Sequence, residues 1–227
     1  MKSHKTKNYE IIDIKGKLTK DIIKKCSFSF NKNKRFFKKN CDFFKIYISH
    51  TEKDFKKRSK KFYQPWVKGV SLKGKIIVIR VPKLFRESYK KYKGTAKFEM
   101  LLTHEINHIY SNFLNLYKGA YWLTEGLAMY VAGQIPGKTY KGDTILNREK
   151  AKKLLFYKLR YKKLCPEMYI VHYYATKYLT KRFGKNKFLR FIDSHSKNMK
   201  KIDFEKKFKK IFEISYDSFI EDFIGTL

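Results

Sequence analysis

The sequence predicts an α+β fold, with a small N-terminal mixed sheet and an edge hairpin followed by a mainly helical part that carries an HExxH helix. Three observations predict it. β-branched runs bounded by turn residues fall in the first third of the chain, and helical patterns fill the rest. Apolar residues make up 43% of the 227 residues, including 20 Phe and 17 Tyr, enough for a sizeable core. The stretch 98–137 holds three acidic residues (Glu99, Glu105, Glu125) and one basic (Lys118), in a protein of net charge +34. A segment that resists so strong a basic bias is core, chemical site, or both.

The elements follow in order. FKIYIS, Phe44–Ser49, is a strand by β-propensity. Thr51 with Glu52 and Asp54 behind it marks the start of a Lys-rich helix to about Phe62. Val67–Leu72 and Lys75–Val81 flank Lys73-Gly74 and predict a hairpin closed by Pro82. A helix is expected from Gly94-Thr95 to about Leu116. Shorter ones are expected over Leu123–Ala132, Arg148–Tyr161, Tyr169–Phe183 and Asn186–Ser194, with two more near the C-terminus.

Charge and cysteine content narrow the function classes. Lys and Arg total 54 against 20 Asp and Glu, but Arg supplies only 8 of the 54. Arg makes the bidentate contacts to phosphate and guanine, so its scarcity argues that the excess is mainly compositional. A weak anionic partner, nucleic acid or a membrane surface, is the other reading. Cys26, Cys41 and Cys165 are odd in number and lack CxxC spacing, which fits a reducing compartment. The N-terminus has no apolar signal region, and the longest aliphatic run, Ile76–Ile79, is far too short for a membrane span. A cytoplasmic protein is expected. P-loop, GxGxxG and GxSxG patterns do not occur.

The chemistry centres on HEINH, His104 to His108. Two His at i and i+4 lie about 40° apart around a helix and one turn along it, so both imidazoles can reach one metal ion. Glu105, beside the first His, is placed to act on water at the metal rather than to ligate. HExxH arises by chance in a chain of this composition with a probability of about 1% or less. The competing reading is a pair of core histidines. Glu125 weighs against it. It sits in YWLTEGLAMY, an apolar helix where an unpaired carboxylate is costly to bury and a cation removes the cost. Two His and one carboxylate leave zinc a fourth position, the pattern of a catalytic site. Taken alone, Glu125 would instead be a carboxylate at a helix N-terminus.

HEINH with WLTEG resembles the gluzincin metallopeptidases, above all the small peptidase MA-like domains and the catalytic domain of aminopeptidase N and leukotriene A-4 hydrolase. The resemblance implies one zinc per chain held by His104, His108 and Glu125, with Glu105 as general base and a peptide or protein as substrate. YIVHYYATKYLTKRFG is similar to the family helix whose Tyr hydrogen-bonds the oxyanion. The matching residue is Tyr169, with Tyr173 and His172 as alternatives. On this reading residues 1–227 form a single domain, made of a basic N-terminal extension (1–43), a catalytic core (44–192) and C-terminal helices (193–227).

The chain departs from the family in two places. The GxMEN motif that anchors a free amine is absent, which leaves exopeptidase activity unsupported. Met129 stands where thermolysin-type enzymes carry a buttressing Asp; Thr103 and Asn112 are the candidates to orient the imidazoles. His4, His50 and His195 lack a partner pattern and are expected at the surface, and Lys57–Lys61 reads as a solvated face. The non-enzymatic alternative is an inactive peptidase-like scaffold that binds nucleic acid or another anion.

Overall fold

The computed structural model describes residues 1–65, 67–81, 98–114, 120–135, 148–156, 166–196 and 198–226. The fold is α+β, with a five-stranded mixed sheet followed by a mainly helical part. The chain divides into two compact units. One comprises Met1–Phe113 with Val131–Gln134, the other Leu114–Tyr130 with Ile135–Leu227.

The first unit is built on strands β1 (Lys2–Lys5), β2 (Tyr9–Asp13), β3 (Phe44–Ser49), β4 (Gly69–Leu72) and β5 (Ile76–Arg80), in the order β1-β2-β3-β5-β4. β2, β3 and β5 run parallel; β1 and β4 flank them antiparallel. The register aligns Ile11, Ile46 and Ile77 across the three central strands, all fully buried. The β4–β5 hairpin turns at Lys73 (φ 51°) and Gly74 (φ 65°). Two consecutive residues at positive φ give the turn whose twist matches the strands, which is why a glycine stands there. β4 begins at Gly69, two residues later than expected.

Among the described residues three helices complete this unit, α1 (Lys20–Phe37), α2 (Glu52–Ser59, continued by a 3₁₀ turn at Lys60–Phe62) and α3 (Phe98–Phe113). Thr51 caps α2 as expected, its hydroxyl accepting from Asp54 N. The expected α3 start at Gly94-Thr95 and end at Leu116 lie outside the described residues.

α1 corrects the reading of residues 1–43 as an extension. These residues supply two strands and a helix packed against α3. The packing is apolar through Phe30, Phe37 and Tyr110, with the Phe37 and Tyr110 rings stacked at 4.8 Å. It is also polar. Asn33 Nδ2 donates to Thr103 O at 3.0 Å, and Asn107 Nδ2 donates to Asn33 Oδ1 at 3.0 Å. Ser29 Oγ donates to Glu99 O at 3.0 Å. Buried polar groups must pair, so this ladder fixes the rotation and register of α3 on α1. The lysines that give the segment the look of an extension lie outside this buried face of α1.

The three histidines expected at the surface depart from that expectation. His195 is 9% exposed, its Nδ1 set against the carbonyls of Phe191 and Ile192. His50 Nε2 pairs with both carboxylate oxygens of the fully buried Asp13 at 2.9 Å. His4 is half-buried.

The second unit contains most of α4 (Tyr121–Ala132), with α5 (Arg148–Phe156), α6 (Pro166–Asp193), α7 (Lys201–Phe212) and α8 (Tyr216–Ile224). α6 breaks at Gly184 (φ 82°), so it consists of the two helices expected at Tyr169–Phe183 and Asn186–Ser194. The core is aromatic. Phe191, Phe204, Phe208 and Phe212 interlock at centroid distances of 4.6–6.3 Å. Trp122 lies on Phe219 at 5.7 Å, and its Nε1 donates to the Tyr216 hydroxyl at 2.6 Å. This explains the Trp of WLTEG as a packing residue whose one polar atom is satisfied. Among the described residues no helix is long and apolar enough to cross a membrane.

Candidate metal centre

α3 is mostly apolar, and two of its polar side chains, His104 and His108, contribute to the candidate site. Ile106, Ile109 and Tyr110 are fully buried, while His104 and His108 are half-buried on one face. Their rings meet edge to face at 4.7 Å, with Nε2 of each 3.0 Å from Nε2 of the other. Two ring nitrogens this close either share a proton or direct two lone pairs at one cation. Tetrahedral zinc with Zn–N near 2.0–2.1 Å separates two such nitrogens by about 3.3 Å, so the spacing fits the ion. His104 Nδ1 meets Gln134 Oε1 at 2.8 Å. An amide oxygen only accepts, so Nδ1 carries the proton and Nε2 presents its lone pair.

Glu125 sits on the second turn of α4 and is 7% exposed. One ligand atom each from His104, His108 and Glu125 lies within 4.8 Å of the others. This donor set, two imidazoles and one nearly buried carboxylate, suits zinc in type and number.

Glu105 is not a member of this donor group. It is 5% exposed and lies against the backbone of Gly69 on β4. A Cβ at residue 69 would stand 3.0 Å from both Cγ and Oε1 of Glu105. A glycine there lets the edge strand come within contact of the carboxylate. Sequence reasoning missed Gly69 because nothing local marks it; the hairpin pattern accounts for the strand without it.

The glycine of WLTEG has a similar task within the second unit. A Cβ on Gly126 would fall 2.2 Å from His172 O and 2.2 Å from Thr176 Oγ1. α4 and α6 therefore touch backbone to backbone beside Glu125. Tyr169, half-buried on the first turn of α6, precedes His172 by three residues and Thr176 by seven. That spacing puts it on the α6 face that meets Gly126. Tyr173 is buried and packs edge-on to Tyr174 at 5.1 Å.

His172 is fully buried, and its Nε2 donates to Leu154 O at 3.2 Å, which makes it a core residue rather than a donor to substrate. Burial is the main cause that pulls its pKa down to about 4; the Leu154 carbonyl and the Glu125 charge oppose it. The unfolded chain then binds this proton more readily than the folded one. Stability tied to His172 is complete above its unfolded pKa near 6.5 and is lost as pH falls toward 4. The expected loss over that window is about 3 kcal/mol. Urea midpoints measured from pH 7 to pH 4 should fall, and should fall less in His172→Gln.

Thr103 and Asn112 do not orient the imidazoles. Thr103 Oγ1 donates to Glu99 O one turn back, and Asn112 is exposed with its amide over the turn glycine Gly74. Gln134 takes the part expected of them. Compared with known protein families and with curated proteins, the chain matches none.

Proposed function

We propose that the chain is a zinc-dependent metallopeptidase of the gluzincin type, hydrolysing peptide bonds with one zinc per chain held by His104, His108 and Glu125. One observation carries this reading: three ligand atoms of the right kind gather within 4.8 Å, two of them imidazole nitrogens facing each other at 3.0 Å. When bound, the ion supplies Lewis acidity that polarises a peptide carbonyl and acidifies a water. Glu105 accepts the water proton at its carboxylate and returns it to the leaving amine. Tyr169 donates a hydrogen bond to the carbonyl oxygen as charge builds there. β4 lies at the sheet edge beside Glu105, where an extended peptide can add as a further strand.

Elemental analysis of the purified protein tests the reading. The expected result is about one zinc per chain, removed by a chelator and restored by zinc alone. A folded protein with no metal, and none taken up from excess zinc, overturns it. Tyr169→Phe should lower kcat about 10²-fold with little change in KM. A full-speed variant would remove Tyr169 from the mechanism and leave the metal site in place. Cys26 and Cys41 are buried free thiols, and burial pushes each up to about 12, which leaves them unreactive.

The outer face of α1 favours a second reading. Phe28, Asn31, Lys34, Arg35 and Lys38 line a shallow cleft, and Phe28 is 44% exposed. Cations interleaved with an aromatic ring suit an anionic partner, either nucleic acid or a membrane surface. A metal-free protein that binds DNA with affinity collapsing between about 50 and 200 mM salt would put this reading first.

A further inference from the structure

We infer that Gln134 is the positioning residue of the metal centre, selecting the His104 tautomer that can bind a cation. The inference rests on the metallopeptidase reading for its purpose, though not for its geometry. His104 has two ring nitrogens, and the neutral ring carries its proton on one of them. A proton on Nε2 would block the nitrogen that faces His108; a proton on Nδ1 frees it. Gln134 Oε1 stands 2.8 Å from Nδ1 and accepts that proton.

The fold delivers Gln134 by a specific route. α4 ends at Ala132, whose carbonyl accepts from Lys32 Nζ of α1 at 3.3 Å. Gly133 follows at φ 75°, the left-handed conformation that ends helices and reverses the chain. Gln134 is the next residue and is half-buried. The helix that carries Glu125 thus leads directly to the residue that orients His104. The chain has no carboxylate at residue 129, where Met129 is buried, and His104 Nδ1 instead meets a neutral amide. An amide fixes the tautomer without adding negative charge next to the imidazole, whereas a carboxylate would do both.

The test uses the full chain, Gln134→Met to remove the acceptor at similar volume, and Gln134→Glu to keep an acceptor. Imidazole ¹⁵N–¹H correlation spectra of the metal-free protein read the tautomer directly. Zinc titration against a competing chelator reads affinity, and circular dichroism checks the fold. Expected results are an Nδ1–H tautomer at His104 in the wild type and Gln134→Glu, and loss of that preference in Gln134→Met. Zinc affinity should fall about 10–100-fold in Gln134→Met and be retained in Gln134→Glu. A folded Gln134→Met with unchanged tautomer and affinity overturns the inference while leaving the zinc reading standing. A wild type that binds no zinc overturns the zinc reading, and the tautomer comparison still decides the role of Gln134. An Nε2–H tautomer in the metal-free wild type would mean that the amide is turned the other way, and overturns the inference directly.

Discussion

On the metallopeptidase proposal, Glu105→Gln is expected to keep a bound zinc and lose hydrolysis. Gln has nearly the shape of Glu, so it can occupy the space against Gly69 without moving α3, and the proposed ligands His104, His108 and Glu125 are untouched. What it lacks is a site that takes up a proton near neutral pH. A positioned general base contributes about 10²–10⁴ in rate, so cleavage of a peptide mixture, followed by mass spectrometry, should slow by that factor. Zinc content should remain at one per chain. Loss of zinc in the variant would make Glu105 a ligand and remove it from the base role. Undiminished cleavage would leave the proton transfer to another group.

Gly126→Ala is expected to destabilise the protein severely, although it adds a single methyl group. The new Cβ would lie 2.2 Å from a backbone carbonyl, His172 O, which cannot rotate away as a side chain can. Relief requires α4 and α6 to separate where Trp122 and Leu123 are fully buried. Overpacking of this kind costs about 3 kcal/mol or more. For a chain of this length that corresponds to a drop of roughly 6–12 °C in Tm by circular dichroism. Zinc affinity should fall as well, because residue 126 adjoins Glu125. An unchanged Tm would show that the two helices do not pack this closely in solution.

Much of the architecture is legible in the sequence where local chemistry decides it. The β4–β5 hairpin is marked by Lys73-Gly74, whose positive φ values the turn demands, and α2 by Thr51 at its cap. Gly184 ends one helix and begins another inside what is nearly a continuous pattern. The place of residues 1–43 is not legible. KSHK in β1 has no apolar alternation and is a strand only because it pairs with β2. The Lys-rich outer face of α1 conceals an inner face of Ile22, Cys26, Phe30 and Phe37 that supports the HEINH helix.

The candidate site divides along the same line. Its chemistry can be read from short segments alone: an i, i+4 histidine pair, a Glu beside it and a carboxylate in an apolar helix, because helical periodicity needs no distant partner. Which side chains serve those groups depends on how the segments come together in space. Gln134 reaches His104 across 30 residues through a left-handed turn at Gly133, and Gly69 lies against Glu105 from a separate strand. Neither carries a local pattern, since a hydrogen-bond acceptor or an absent Cβ acquires its role from what the fold sets against it. The burial of His172 and His195 has the same origin, for a histidine is neutral and internal only when the surrounding core leaves it no water.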